Sequence, residues 1–208
     1  MDERSSVATK TSRFSVVQSR AGEVLDFWFG QEGDPEYGQF RDEWFRKDPA
    51  FDARVTEQFA DLYEEAAAGD LDGWREAAES CLALVLVLDQ FPRNMFRGDG
   101  RSHAEDERAL EASRYAVEHA LDRELPAFKR MFLYMPFMHS ENVEDQRRSV
   151  ELFERLAGEA GAPDVVSYAA AHRDIVERFG RFPHRNGILG RETTPEEAEF
   201  LKTEGSSF

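Results

Sequence analysis

The chain has 208 residues, enough to bury a substantial core, and its 41% hydrophobic content with 17 Phe is that of a folded rather than a disordered protein. A net charge of −16 opposes approach to a nucleic-acid backbone or an anionic membrane, so neither is expected as a partner. Its one cysteine, Cys81, excludes an intramolecular disulfide and fits a reducing compartment.

Among the 26 cations only Lys10, Lys47, Lys129 and Lys202 are lysines. GC-rich codon usage and adaptation to a salty cytoplasm both account for that bias, and a salt titration of unfolding separates them. Residues 1–20 carry Ser, Thr and basic residues without a signal-peptide core, and read as a mobile tail before a single domain over 21–208. No apolar run approaches the roughly 20 residues of a bilayer crossing. The cytoplasm is the expected location.

Helix follows helix along the rest. Phe51, Val55, Phe59, Leu62, Tyr63 and Ala66 recur at spacings of three and four, with Asp48-Pro49 as the start and Gly69 as the stop. Residues from about Trp74 to Leu88 read as a second, central helix, because "WREAAES" leads good helix formers into the apolar "LALVLVL". Cys81 lies beside that run and reads as a small core residue.

Pro92 disfavours helix at Phe91, so this helix is expected to end near Gln90. Ser102 and Glu105 have capping-box spacing and predict a helix to about His119. Further helices are expected from about Glu141 to Ala157, with Ser140 as the cap, and from about Pro163 to Phe179. Thr194-Pro195-Glu196-Glu197 starts a short last one. The fold class is all-α, with antiparallel helical pairs in a compact array or bundle.

Three segments break the rhythm. "LDQFPRNMFRG" presents Arg93, Asn94 and Arg97 beside Asp89 and Gln90, as an anion-holding rim or as a cap on the helix's negative end. "MPFMHSENVEDQ" places His139 near Glu141, Asp145 and Gln146. His139 is either a satisfied core histidine or an acid–base group, since imidazole titrates near neutral pH.

The third segment, "RFGRFPHRNGILGR", sets Arg178, Arg181, Arg185 and Arg191 with His184 and Asn186 on a loop marked by Gly, Pro and Asn-Gly. These arginines repel one another unless anions face them. The anions are either the protein's own carboxylates, with Asp89 or Glu141 on Arg181, or those of a ligand.

"LDQFPRN", "PFMHSE…Q" and "RFGRFPHRN…LGR", in this order and spacing, resemble a bacterial family known as a domain of unknown function, family 924. The resemblance spans roughly Gly22 to Lys202. It implies an all-α fold related to tetratricopeptide-repeat proteins and no established activity. "GRSHAEDE" departs from the family in lacking an aromatic near His103.

No nucleophile elbow, phosphate-binding glycine loop, dinucleotide fingerprint or H-E-x-x-H occurs, and no cofactor is expected. His139, Glu141, His172 and His184 have no common metal-ligand spacing, so no metal is assigned. Two functional readings remain. One is a pocket for a small anion, with Arg93, Asn94, Arg97, Arg181, Arg185, Asn186 and Gln146 binding, His139 or His184 moving protons, and Glu141 orienting them. The other is a helical scaffold that grips acidic peptides, with the polar motifs as salt-bridge networks.

Overall fold

Trp28 and Phe29 sit at the end of a helix over 20–29 (α1), and both are fully buried. Trp28 packs on Trp44, Phe51, Phe91 and Phe132 at ring-centroid distances of 6.1, 5.8, 5.7 and 5.5 Å. This aromatic cluster joins the N-terminal third to the centre of the chain. The computed structural model describes residues 20–159 and 165–207; every regular element among them is helical. The expected tail lies outside the described residues except Arg20, which is already helical and pairs with Glu65.

α2 (Pro49–Ala68) buries the whole predicted stripe from Phe51 to Ala66. The Asp48 carboxylate accepts from the N–H groups of Ala50 and Phe51, and Gly69 closes the helix at φ 90°, a conformation that strains any side chain. The second helix starts later than its sequence suggests. Asp72–Glu76 form a 3-10 turn, Ala77 is extended, and α3 runs over Ala78–Val85.

Nor does this helix end at Gln90. Leu86–Gln90 form a π-helical turn, in which the Phe91 N–H bonds the Leu86 carbonyl, and α4 (Phe91–Met95) follows directly. Pro92 lacks an N–H and falls in the first turn of α4, where none is needed. The wider π turn thus absorbs Pro92, so the expected stop near Gln90 does not occur.

Asp99, not Ser102, caps the next turn, Gly100–His103, and α5 (Asp106–Glu118) begins without the expected Ser102–Glu105 box. α6 (Ala127–His139) and α7 (Val143–Ala157) are joined by three residues, which forces them to pack antiparallel. Asn142 rather than Ser140 caps α7, its side chain accepting from the Glu144 N–H. α8 (Val166–Phe179) packs on α7, and the expected start at Pro163 lies outside the described residues. α9 (Pro195–Phe200) carries the predicted Thr194–Glu197 capping box. α3 is sandwiched between α5 and α6 and is the centre of the core. No helix among the described residues is long and apolar enough to cross a membrane.

Two tests follow from this packing. Phe132 is wholly buried and touches Trp28, Phe29 and Trp44, so Phe132→Ala is expected to cost about 3–5 kcal/mol in denaturant unfolding. Burial pushes the Cys81 thiol up to about 12, so the native chain should resist a disulfide reagent at pH 8 and react on unfolding.

Candidate functional site

The π turn places two polar residues, Asp89 and Gln90, in succession inside the protein. Asp89 has no exposed surface. A buried carboxylate must be answered by donors or cations, and here they come from both near and far in the chain. Gln90 Nε2 donates to Oδ2 at 2.5 Å, and Arg93, one turn on, lies 3.2 Å from Oδ1 and also donates to the Asp89 backbone carbonyl. From the last residue of α6, His139 Nδ1 lies 2.7 Å from Oδ1.

Arg93 extends the cluster to Asp106, at the start of α5, with Nη2 2.9 Å from Oδ1. The other oxygen of Asp106 faces His103 Nδ1 at 3.3 Å and Arg185 Nη1 at 3.4 Å. Arg185 stacks on the Phe182 ring at 4.4 Å and donates to the His139 carbonyl at 3.0 Å, covering the negative end of α6. Arg93, His139 and Arg185, one from each irregular segment, therefore meet at one junction of helix ends.

The electrostatics follow from that crowding. Burial works against the charge on Asp89 and Asp106, but Arg93, with the neighbouring histidines, holds both carboxyls below the usual range. Burial and Arg93 push His139 below the ordinary imidazole value, against the pull of Asp89. Burial lowers Arg185 to about 10. A neutral His139 carries its proton on Nδ1, because that nitrogen faces an acceptor-only carboxylate. Among the described residues its Nε2 has no hydrogen-bond partner, and 14% of the side chain is open to solvent.

The remaining loop arginines turn inward on the chain's own acids. Arg181 does not pair with Asp89 or Glu141; its Nε and Nη2 fork onto Glu197 at 2.7 and 2.9 Å. That carboxylate also accepts from Asn186 Nδ2 and the Thr194 N–H, so the capping box doubles as a salt-bridge hub. Arg191 holds Glu141 at 2.6 and 3.0 Å, and Glu141 accepts from the Phe182 N–H. Asp89, not Glu141, is the group positioned on His139. Because α7 starts at Val143, Glu141 lies outside the helix that carries Asp145, and Asp145 pairs with Arg114.

Other predicted residues stand apart from the junction. Asn94 and Arg97 both bind Asp52 at the start of α2. Gln146 donates to the carbonyls of Met138 and Ser140, capping the end of α6. Buried His172 bonds the Tyr168 carbonyl, and His184 stands over Phe182 with its ring centroid 5.6 Å away. No cluster of three His, Cys, Asp or Glu side chains able to hold a metal occurs among the described residues. Nothing in the sequence marks Asp106 or Glu197 as a site residue, because each resembles an ordinary acid of a first helical turn. The only signal for Glu197 is its capping-box spacing.

The family described as "Bacterial protein of unknown function (DUF924)" matches residues 24–205. A solved structure of a protein of unknown function from Agrobacterium tumefaciens is 44% identical, covering 89% of this chain and 98% of that one with a TM-score of 0.79. No curated protein matches the chain.

Removing the Asp89 carboxylate leaves Arg93 without its inner partner, and Asp89→Ala is expected to cost about 3–5 kcal/mol in denaturant unfolding. Acid should unfold the protein over a wide range. Burial keeps His172 and His184 neutral down to about 3 and about 4, whereas unfolded histidine takes up its proton near 6.5. Stability therefore falls once pH drops below that value. Glu197, held near 2 by Arg181 against 4.5 when unfolded, adds stability above pH 4.5 that is lost towards pH 2. In melting curves across pH, Glu197→Gln should flatten the fall below pH 4.5 and leave the fall between pH 6.5 and 4.5, whereas His172→Asn should flatten the fall from pH 6.5 down to about 3.

Proposed function

This chain belongs to the bacterial DUF924 family, and we propose that it binds a small anionic molecule at the Asp89–His139 junction and moves a proton with His139. The observation that carries this reading is the buried Asp89 carboxylate 2.7 Å from His139 Nδ1, with Nε2 left unpartnered among the described residues, Arg93 paired with the same carboxylate and Arg185 bonded to the His139 carbonyl. A carboxylate on Nδ1 fixes the tautomer in which Nε2 is the base. Arg93 and Arg185 supply positive charge for an anion that approaches that nitrogen.

A π turn at Asp89 supports the same reading, since such turns recur where a helix is distorted for function. The reaction class is proton transfer to or from a bound carboxylate or phosphate compound, in hydrolysis or group transfer.

The second reading, a helical scaffold with the polar motifs as structural salt-bridge networks, is favoured by one observation: Arg97, Arg178, Arg181 and Arg191 are each held by the chain's own carboxylates. On that reading the motifs pin helix ends and leave the helical surface to do the binding.

Imidazole nitrogen resonances separate the two. In the wild type, His139 is expected to report a protonated Nδ1 and to shift when phosphate or a small carboxylate is added. Asp89→Asn should move its proton to Nε2 while the protein stays folded. If neither anion moves the His139 resonances or the melting temperature, the anion-site reading falls and the scaffold reading is preferred.

A further inference from the structure

An arginine binds a carboxylate or phosphoryl group best through a side-on edge, with two parallel N–H donors. One such edge is the Nε/Nη2 pair, and this chain uses it repeatedly. Arg97 forks onto Asp52, Arg178 onto Glu196 and Arg181 onto Glu197, each through Nε and Nη2. Arg185 is built differently. Both of its hydrogen bonds leave from Nη1, to Asp106 at 3.4 Å and to the His139 carbonyl at 3.0 Å. Among the described residues neither Nε nor Nη2 has a partner, and Nε is buried.

Only 8% of the Arg185 side chain is exposed. Its guanidinium is clamped by the Phe182 ring on one face and anchored to the end of α6. A fork fixed in this way loses little freedom when a ligand arrives. A buried N–H without an acceptor is also unfavourable, and an incoming oxygen removes that deficit. The anchor is the His139 carbonyl, so the unpartnered edge belongs to a residue bonded to His139 itself.

We infer that the Nε/Nη2 edge of Arg185 receives an oxyanion group of the ligand, a carboxylate or a phosphoryl group, and so sets the ligand's orientation towards His139. This rests on the anion-site reading above and adds which side chain holds the anion and by which atoms. Arg93 then contributes charge, its Nη1 and Nη2 lying 3.2 and 2.9 Å from the carboxylates of Asp89 and Asp106.

The test uses the full chain with inorganic phosphate and acetate as separate probes, read by arginine Nε resonances and by titration calorimetry. The Arg185 Nε signal is expected to shift with at least one probe, and the responding probe identifies phosphoryl or carboxylate as the group received. Arg185→Lys keeps the charge but loses the fork, and should weaken that probe by about tenfold or more. Arg178→Lys, exposed and paired with Glu196, should bind as the wild type does.

A folded Arg185→Lys protein of unchanged affinity overturns the inference. If Arg185→Lys does not fold, the wild-type Nε shift decides alone. His139 shifts without any change at Arg185 Nε would remove this inference and leave the anion-site reading standing. Silence at both residues with both probes would remove both.

Discussion

Asp89 is a carboxylate with no surface open to water, carried on a π turn at the end of the buried, apolar helix α3. Such a charge is tolerated only where cations and donors surround it. The groups that answer it dictate what meets at this point. Arg93 and Gln90 come from the same helical run, His139 from the end of α6, and Arg93 in turn recruits Asp106 and, through it, Arg185. One buried charge therefore fixes the relative positions of α3, α5, α6 and the loop after α8. The π turn belongs to this constraint, because it brings Asp89 and Gln90 inward while letting the helix continue past Pro92.

The C-terminal loop is held by a second centre, Glu197. The capping box alone would need only its bond to the Thr194 N–H, but the same carboxylate is gripped by Arg181 and Asn186. Arg191 meanwhile ties the loop to Glu141 and to the Phe182 carbonyl. Arg178 falls in the last turn of α8, and the loop that follows is ordered because the chain's own acids meet its three arginines: Glu197 holds Arg181, Glu141 holds Arg191, and Asp106 touches the tip of Arg185.

Much of the fold is legible from the chain alone. The stripe in α2, its Asp48 and Gly69 ends and the Thr194–Glu197 box are local features, each set by residues a few positions apart. The three polar segments are also visible, because Gly, Pro and clustered Arg stand out against helical periodicity. What is not legible is pairing. Nothing local distinguishes Glu141 from Asp89 as the partner of His139, since that choice depends on α6 ending over the π turn. Pro92 misleads for a related reason. Its effect on the preceding residue is real in an α-helix, but an i→i−5 turn avoids the conflict. Ser102 and Ser140 look like caps by type, and lose that role to Asp99 and Asn142 through the actual geometry of the turns.

The structural and functional readings of the arginines are therefore not alternatives for the segment as a whole. Arg97, Arg178, Arg181 and Arg191 have their side-on edges or fork ends filled by the protein, and their charge is spent on order. Arg185 differs from them in one respect: its end is used for anchoring while its side-on edge has no partner among the described residues. An arginine meant only to pin α6 would gain by turning that edge to a carboxylate, as its neighbours do, and Asp106 is close enough to be that carboxylate. Asp106 is instead shared among Arg93, His103 and the tip of Arg185. The shared acid holds Arg185 without saturating it, and this partial answer leaves the cluster with both a fixed frame and an unfilled donor edge.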